Sequence, residues 1–132
     1  MENSRHPGKT VLFADDNASI RQTLGRWLES LPEFRTVLLA SDGKEAIDKA
    51  LSCSPDLAVL DLAMPVMDGL EAARQLKLLN PELPIIIFSM YAESMRMKPE
   101  VLHSWGISAV VRKEDATTKL LEKIRELLHL EN

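Results

Sequence analysis

The amino-acid sequence predicts an α/β fold with a doubly wound, five-stranded parallel sheet and helices on both of its faces. Short apolar runs alternate with longer stretches in which apolar residues recur every 3.6 residues, as expected for repeated β–α units. The turn-forming residues also fall between the predicted elements.

Five strands are predicted from the apolar runs, near residues 10–14, 36–40, 57–60, 85–88 and 109–112. Three intervening helices are predicted from the apolar faces Ile20, Leu24, Trp27, Leu28 and Leu31; Ile47, Ala50 and Leu51; and Leu70, Ala73, Leu76 and Leu79. Proline is tolerated in the first turn of a helix, so Pro99 predicts a fourth helix that begins near Lys98, after an irregular SMRM segment. The last helix carries Leu120, Leu121, Ile124, Leu127 and Leu128 on one face.

Length and composition predict one soluble domain. The 132 residues suit a polar N-terminal tail over residues 1–9 and a folded domain over residues 10–130. The net charge of -4 offers no basic stripe, so direct nucleic-acid binding is not expected. Cys53 is the only cysteine, and no apolar run resembles a signal peptide or a membrane span. We therefore expect a cytoplasmic protein without membrane contact.

Acidic residues follow two of the predicted strands. Asp15 and Asp16 come after VLFA, and Asp61 comes after LAVL. The carboxyl ends of parallel strands share one edge of the sheet, so these acids should converge and require a counterion such as Mg²⁺. A simpler interpretation of the first pair remains open, because Asp16, Asn17 or Ser19 could each cap the following helix.

The fourth and fifth strands end in a hydroxyl and an ammonium group, Ser89 and Lys113. Taken singly, such a serine more often bonds to the backbone, and such a lysine is more often solvated. Placed at the same edge as three carboxylates, they predict a site that binds a divalent cation and accepts a phosphoryl group.

The segment DLAMPVMDGLEAARQL, in which Asp68 and Glu71 suggest a capping box, resembles the phosphorylation-site segment of receiver domains of bacterial two-component response regulators. The resemblance extends from Val11 to about Leu128. It implies the flavodoxin-like strand order 2-1-3-4-5. Because no output domain follows Leu130, a stand-alone receiver is expected. The string FSM resembles the nitrate-responsive subfamily.

The resemblance also implies roles for individual residues. Asp61 would be the phosphoacceptor, and Mg²⁺ would be held by Asp16, Asp61 and the carbonyl of Ala63, with Asp15 acting mainly through water. Ser89 and Lys113 would contact phosphoryl oxygens. The chain would catalyse only its own phosphorylation and dephosphorylation.

The implied donor is a sensor histidine kinase or a histidine phosphotransfer protein. A downstream protein would bind the face formed by the fourth helix, fifth strand and fifth helix.

The chain departs from the family pattern at several positions. Val110 stands where the family has an aromatic switch residue, Glu114 replaces a proline that commonly has a cis bond, and Met90 replaces a small residue. The resemblance places Tyr91 beside the pocket, where it is bulky enough to cover a phosphoryl group.

Two other functions fit the sequence less well. A haloacid-dehalogenase-type phosphatase needs a second acid where Ala63 stands, and a flavin-binding loop would not carry the acidic residues ADDN. A degenerate receiver used only for docking, and a receiver that drains phosphate from a relay, both remain as alternatives.

Overall fold

The computed structural model describes residues 8–90 and 98–129. Within them the chain alternates strands and helices: β1 Lys9–Ala14, α1 Ala18–Ser30, β2 Phe34–Ala40, α2 Gly43–Cys53, β3 Leu57–Asp61, α3 Gly69–Leu79, β4 Ile85–Ser89, α4 Pro99–Ser104, β5 Ala109–Arg112 and α5 Leu121–Leu127. A 3₁₀ turn over Lys113–Asp115 and a π-helical turn over Ala116–Leu120 connect β5 to α5.

The five strands form one parallel sheet in the order β2-β1-β3-β4-β5, which confirms the predicted fold class and strand order. The register pairs Asp61 with Phe88 and Ser89 with Arg112, so the carboxyl ends of β3, β4 and β5 lie level with one another. In the described ranges no helix has the length and apolar character needed to cross a membrane.

Side chains alternate between the two faces of the sheet and form two hydrophobic layers. On β1, Leu12 and Ala14 pack with α2, α3 and α4, whereas Val11 and Phe13 pack with α1 and α5. The central strands β3 and β4 are buried along their whole length. This continuous burial explains why their sequences are apolar without alternation.

Two details of the predicted helices are wrong. Leu51 and Leu79 were assigned to buried faces, but they are 62% and 49% exposed. Each lies in the last turn of its helix, and Leu51 is rotated about 100° from Ala50, which packs against the core. Apolar spacing alone could not distinguish the centre of a helix face from its border.

The fourth helix begins at Pro99 with Lys98 at its N-cap, as predicted. The predicted irregular segment before it, Ser94 to Met97, and the bulky Tyr91 lie outside the described residues.

Candidate functional site

A cleft of about 240 Å³ opens at the carboxyl edge of the sheet. Its lining is Asp15, Asp16, Asn17, Ile20, Asp61, Ala63, Met90 and Lys113. Ser89 ends β4 at the same edge, but it is only 1% exposed and is not one of the lining residues. The sheet therefore gathers the polar residues predicted from the sequence, with Ser89 buried beside the cleft.

The three acids form the centre of the site. One carboxylate oxygen from each of Asp15, Asp16 and Asp61 lies within 4.8 Å of the others. Asp15 is fully buried and Asp61 is 5% exposed, whereas Asp16 is exposed to solvent. A cluster of hard oxygen atoms with one side open to water suits Mg²⁺, which takes a few carboxylates and keeps several waters. The donor set therefore fits the predicted cation.

Lys113 bridges two of the acids. Its Nζ atom lies 2.7 Å from Oδ2 of Asp15 and 3.3 Å from Oδ1 of Asp61, and its side chain is 12% exposed. The contact between Nζ of Lys113 and Oδ2 of Asp15 is short but lacks hydrogen-bond geometry. The interaction of Lys113 with this buried oxygen is therefore electrostatic. One ammonium group cannot neutralise three carboxylates, and the site keeps an excess of negative charge.

Burial and the nearby Asp15 carboxylate raise the pKa of Asp61 to about 6, against the opposing effect of Lys113. Desolvation disfavours the charged carboxylate, and a like charge disfavours it further. A bound cation would relieve both effects.

The loop after β1 is fixed by hydrogen bonds that involve Asp15, Asn17 and Arg21. Asn17 caps α1, because its Oδ1 accepts a hydrogen bond of 3.0 Å from the Ile20 amide. The Asn17 amide donates to Oδ1 of Asp15 at 2.9 Å, and Nη1 of Arg21 donates to the Asp15 carbonyl at 2.8 Å. Of the capping alternatives, Asn17 is the residue that caps the helix. The sequence interpretation missed Arg21, whose signal is a basic residue near the start of α1, five positions beyond Asp16.

The loop after β3 holds Asp61 by close backbone contacts. Gly69 begins α3 so near the strand that a Cβ atom there would lie 2.3 Å from the Asp61 carbonyl oxygen. Asp68 caps α3 through a 2.9 Å bond from the Glu71 amide. The Glu71 carboxylate instead accepts hydrogen bonds from Arg74 and Gln75, so only the first half of the predicted capping box is seen.

The same loop contains a strained turn. Val66 has a φ of 69°, and the Met67 amide donates to the Pro65 carbonyl at 2.6 Å, which closes a γ-turn around Val66. A β-branched residue rarely adopts a positive φ, so the surrounding contacts must hold this conformation. The strain lies within five residues of Asp61.

The structure locates the three residues that depart from the family pattern, Val110, Glu114 and Met90. Val110 is partly buried and packs against the same cluster as Leu102 and Trp105. The peptide bond between Lys113 and Glu114 is trans. Met90 is 69% exposed and lines the cleft.

Comparison with known proteins agrees with this geometry. A family model described as "Response regulator receiver domain" matches residues 11–125. The chain is 37% identical over 124 residues to a protein-glutamate methylesterase/protein-glutamine glutaminase from Methanosarcina acetivorans, with 89% of this chain and 35% of the relative aligned. A similarly named protein from Carboxydothermus hydrogenoformans is 38% identical over 117 residues, with 89% of this chain and 32% of that relative aligned. The chain thus spans about a third of the length of these curated relatives.

Solved structures show the same fold. The response regulator domain of Thermotoga maritima CheB has a TM-score of 0.80 and 26% identity, covering 95% of this chain and 99% of that one. Response regulator TrrA from the same organism, solved in complex with Mg²⁺-BeF, has a TM-score of 0.78 and 30% identity, covering 90% and 98%. A LuxR-family two-component response regulator from Aurantimonas has a TM-score of 0.80 and 26% identity, covering 92% and 86%.

Proposed function

The chain belongs to the family of response regulator receiver domains, and from this premise we propose that Asp61 is a phosphoacceptor in a two-component phosphorelay. The observation that carries the proposal is the Asp61 carboxylate itself. It is buried at the edge of the sheet, its pKa is raised to about 6, and it lies beside two further acids and 3.3 Å from Lys113. Such a concentration of negative charge destabilises the fold unless a cation neutralises it.

Mg²⁺ would be held by Asp16, Asp61 and the carbonyl of Ala63, with Asp15 contributing mainly through water. The three carboxylates support this assignment because their oxygens already lie within 4.8 Å of one another. When bound, the cation would neutralise charge on the incoming phosphoryl oxygens.

In the transfer step, a carboxylate oxygen of Asp61 attacks phosphorus in line, and an O–P bond forms to give an acyl phosphate. With a phosphohistidine donor, the N–P bond breaks and the imidazole leaves with the bonding electron pair, which then takes up a proton. Lys113 exchanges its contact with a carboxylate for one with a phosphoryl oxygen, and the Ser89 hydroxyl donates to another. Dephosphorylation is the attack of water on the same phosphorus.

The proposed donor is a sensor histidine kinase or a histidine phosphotransfer protein in the cytoplasm. The proposed target is a protein that binds the face formed by α4, β5 and α5. Stand-alone action and the nitrate-responsive subgroup stay predictions from the sequence, since the curated relatives are about three times as long as this chain.

The test is intact-mass measurement after incubation with acetyl phosphate. The wild-type chain with Mg²⁺ should gain one phosphoryl group, and omission of Mg²⁺ should abolish the gain. Asp61→Asn should gain none. Asp48→Asn is the matched control, because Asp48 is a well-exposed acid on α2 outside the cleft, and it should be labelled like the wild type.

Equal labelling of Asp61→Asn would assign the phosphoryl group to another residue. Absence of labelling in the wild type with Mg²⁺, from acetyl phosphate and from a phosphohistidine donor alike, would favour the degenerate docking module instead.

A further inference from the structure

Three hydrogen bonds hold Asp15 at the start of the acidic loop. The Asp15 amide donates to the Ala40 carbonyl at the end of β2 at 3.0 Å, and Oδ1 of Asp15 accepts from the Asn17 amide at 2.9 Å. The Asp15 carbonyl accepts a 2.8 Å hydrogen bond from Nη1 of Arg21. Ala40 and Asn17 contribute backbone groups, whereas Arg21 contributes a side chain. A single substitution can therefore remove the Arg21 contact and leave the other two in place.

Arg21 is itself held by the helix that follows the loop. It lies in the first turn of α1, and its amide donates to the Asn17 carbonyl at 2.9 Å. Its side chain is partly buried, and in the described ranges it forms no salt bridge with a carboxylate. The guanidinium group instead donates to a backbone carbonyl, and a charge-assisted hydrogen bond of this kind is stronger than one between neutral groups.

The bond from Arg21 acts on Asp16 through the peptide group that joins Asp15 to Asp16. A peptide group is planar, so fixing the Asp15 carbonyl also fixes the direction in which the chain enters Asp16. The Asp16 side chain is exposed, and no described residue forms a hydrogen bond or an ion pair with it. One of its carboxylate oxygens nevertheless lies within 4.8 Å of those of Asp15 and Asp61. The backbone, rather than a side-chain contact, brings this carboxylate to the cluster.

We propose that Arg21 is a positioning residue for the divalent cation: by holding the Asp15 carbonyl, it keeps Asp16 oriented towards Asp61 before Mg²⁺ binds. The inference rests on the proposed function, in which Asp16 and Asp61 hold Mg²⁺. In this role Arg21 contacts neither the cation nor the phosphoryl group. It lowers the conformational cost of binding, as groups that orient a metal ligand from outside the coordination shell do.

A purely electrostatic role of Arg21 predicts a change of opposite sign. A cationic side chain beside a metal site repels Mg²⁺, so removal of the Arg21 charge would strengthen binding if charge were its main effect. Salt screens such an effect over about 10 Å at 0.1 M, and more strongly as the concentration rises. A loss of orientation does not depend on screening. The direction of the change in Mg²⁺ affinity, compared at low and high salt, therefore distinguishes the two roles.

The test is isothermal titration calorimetry with Mg²⁺ and without a phosphoryl donor. Arg21→Met removes the charge and the donor groups but keeps an unbranched stem that suits a helix. It should raise the dissociation constant for Mg²⁺ about ten-fold, as loss of a group that orients a metal ligand does. The ratio of the variant and wild-type constants should be the same at low and high salt.

Arg26→Met is the matched control. Arg26 is an exposed arginine on the same helix, five residues beyond Arg21, so its substitution removes the same charge without a contact to the acidic loop. This variant should bind Mg²⁺ like the wild type. Amide hydrogen exchange in the metal-free proteins should be faster at Asp15 and Asn17 in Arg21→Met than in Arg26→Met, because only the first variant loosens the loop.

Two further measurements separate positioning from a loss of folding. The bound cation itself holds Asp16, so at saturating Mg²⁺ the phosphorylation rate of Arg21→Met should approach that of the wild type. The Mg²⁺ concentration that gives half the maximal rate should rise as the dissociation constant does. Arg21→Lys keeps the charge and a single flexible donor, so its Mg²⁺ affinity should lie between those of the wild type and Arg21→Met. If urea unfolding shows that Arg21→Met does not fold, weaker binding by Arg21→Lys is the required result.

Unchanged or tighter Mg²⁺ binding by folded Arg21→Met would overturn the inference, and so would equal weakening in Arg26→Met. If only Arg21→Lys folds, wild-type affinity in that variant would overturn it. Failure of the wild type to bind Mg²⁺ would overturn it together with the metal part of the proposed function. A wild type that binds Mg²⁺ but is not labelled on Asp61 would contradict the phosphoacceptor proposal alone.

Discussion

Asp61 shows how one buried carboxylate links function to stability. Its side chain is 7% exposed and lies close to other acids, so that ionisation is unfavourable in the metal-free fold. Burial, followed by the charge of Asp15, raises its pKa to about 6. In the proposed function a protonated Asp61 would be a poor nucleophile and a poor metal ligand, so the same crowding would make phosphorylation depend on Mg²⁺.

This arrangement predicts a pH-dependent stability. An unfolded aspartate has a pKa of about 3.9. Below that pH Asp61 is mostly protonated in both the folded and the unfolded state, so it has little effect on the free energy of unfolding. As the pH rises through 6, the folded state must release a proton that it holds more tightly, and stability is lost. At pH 7.5 without metal, Asp61→Asn should be more stable than the wild type by up to about 3 kcal/mol.

Urea unfolding with a chelator, at pH 4 and pH 7.5, measures this difference. The two proteins should differ little at pH 4, and Asp48→Asn should follow the wild type at both values. At pH 7.5 with Mg²⁺ the wild type should regain stability, and the variant should regain much less. A variant that is less stable than the wild type at pH 7.5 without metal would contradict the crowded-acid interpretation.

At the scale of elements, the start of α3 holds Asp61 through a contact that excludes any side chain. Gly69 donates its amide to the Leu62 carbonyl at 2.8 Å and lies against the backbone of Asp61. Position 69 thus needs glycine because of close approach. The N-terminus of α3 is thus packed directly against the end of β3.

Gly69→Ala should therefore lower the free energy of unfolding by about 2 kcal/mol, as overpacking does, and should slow labelling of Asp61. The matched control is Gly25→Ala in the middle of α1. A Cβ atom there would lie 3.2 Å from the side chain of Leu39, which can adjust, and alanine gains up to about 1 kcal/mol in helix propensity. Urea unfolding and initial labelling rates compare the two. Equal effects of both substitutions would show that the close approach at Gly69 does not matter.

At the scale of the whole molecule, the parallel sheet separates two polar features. Its carboxyl edge gathers the acids and Lys113, whereas a cleft between α3 and α4, lined by Arg74, Lys77 and Trp105, lies towards the other edge. Between them, Val110 on β5 packs with Leu102 and Trp105 against one hydrophobic cluster. Valine has no large rotamer to swing, so we expect a signal that passes through β5 to do so by repacking of this cluster.

We expect phosphorylation to alter amide hydrogen exchange in α4 and β5. The comparison is between the wild type and Asp61→Asn, each treated with acetyl phosphate and Mg²⁺. Changed protection over residues 98–112 in the wild type alone would support output through the face formed by α4, β5 and α5. Changes confined to the loops that carry Asp16, Asp61 and Lys113 would contradict it.

Much of the fold follows from local sequence patterns. Buried strands such as LAVLD and IIIFS are apolar on both faces, so their positions and their polar ends could be predicted to within one or two residues. Pro99 placed the start of α4 for an equally local reason, the missing amide hydrogen of proline. Helix borders were less well predicted, because Leu51 and Leu79 satisfy the apolar spacing but extend past the core.

By itself, the sequence determined that Asp15, Asp16, Asp61, Ser89 and Lys113 would meet at one edge, because parallel strands always align their carboxyl ends. Only the tertiary structure decided how they meet. Asn17 caps α1, Lys113 lies nearer Asp15 than Asp61, and Arg21 secures the backbone of the acidic loop. The cleft between α3 and α4, lined by Arg74, Lys77 and Trp105, likewise depends on how α4 ends against α3. Such distances are set by strand register and helix packing, which join residues far apart in the chain and leave no local signature.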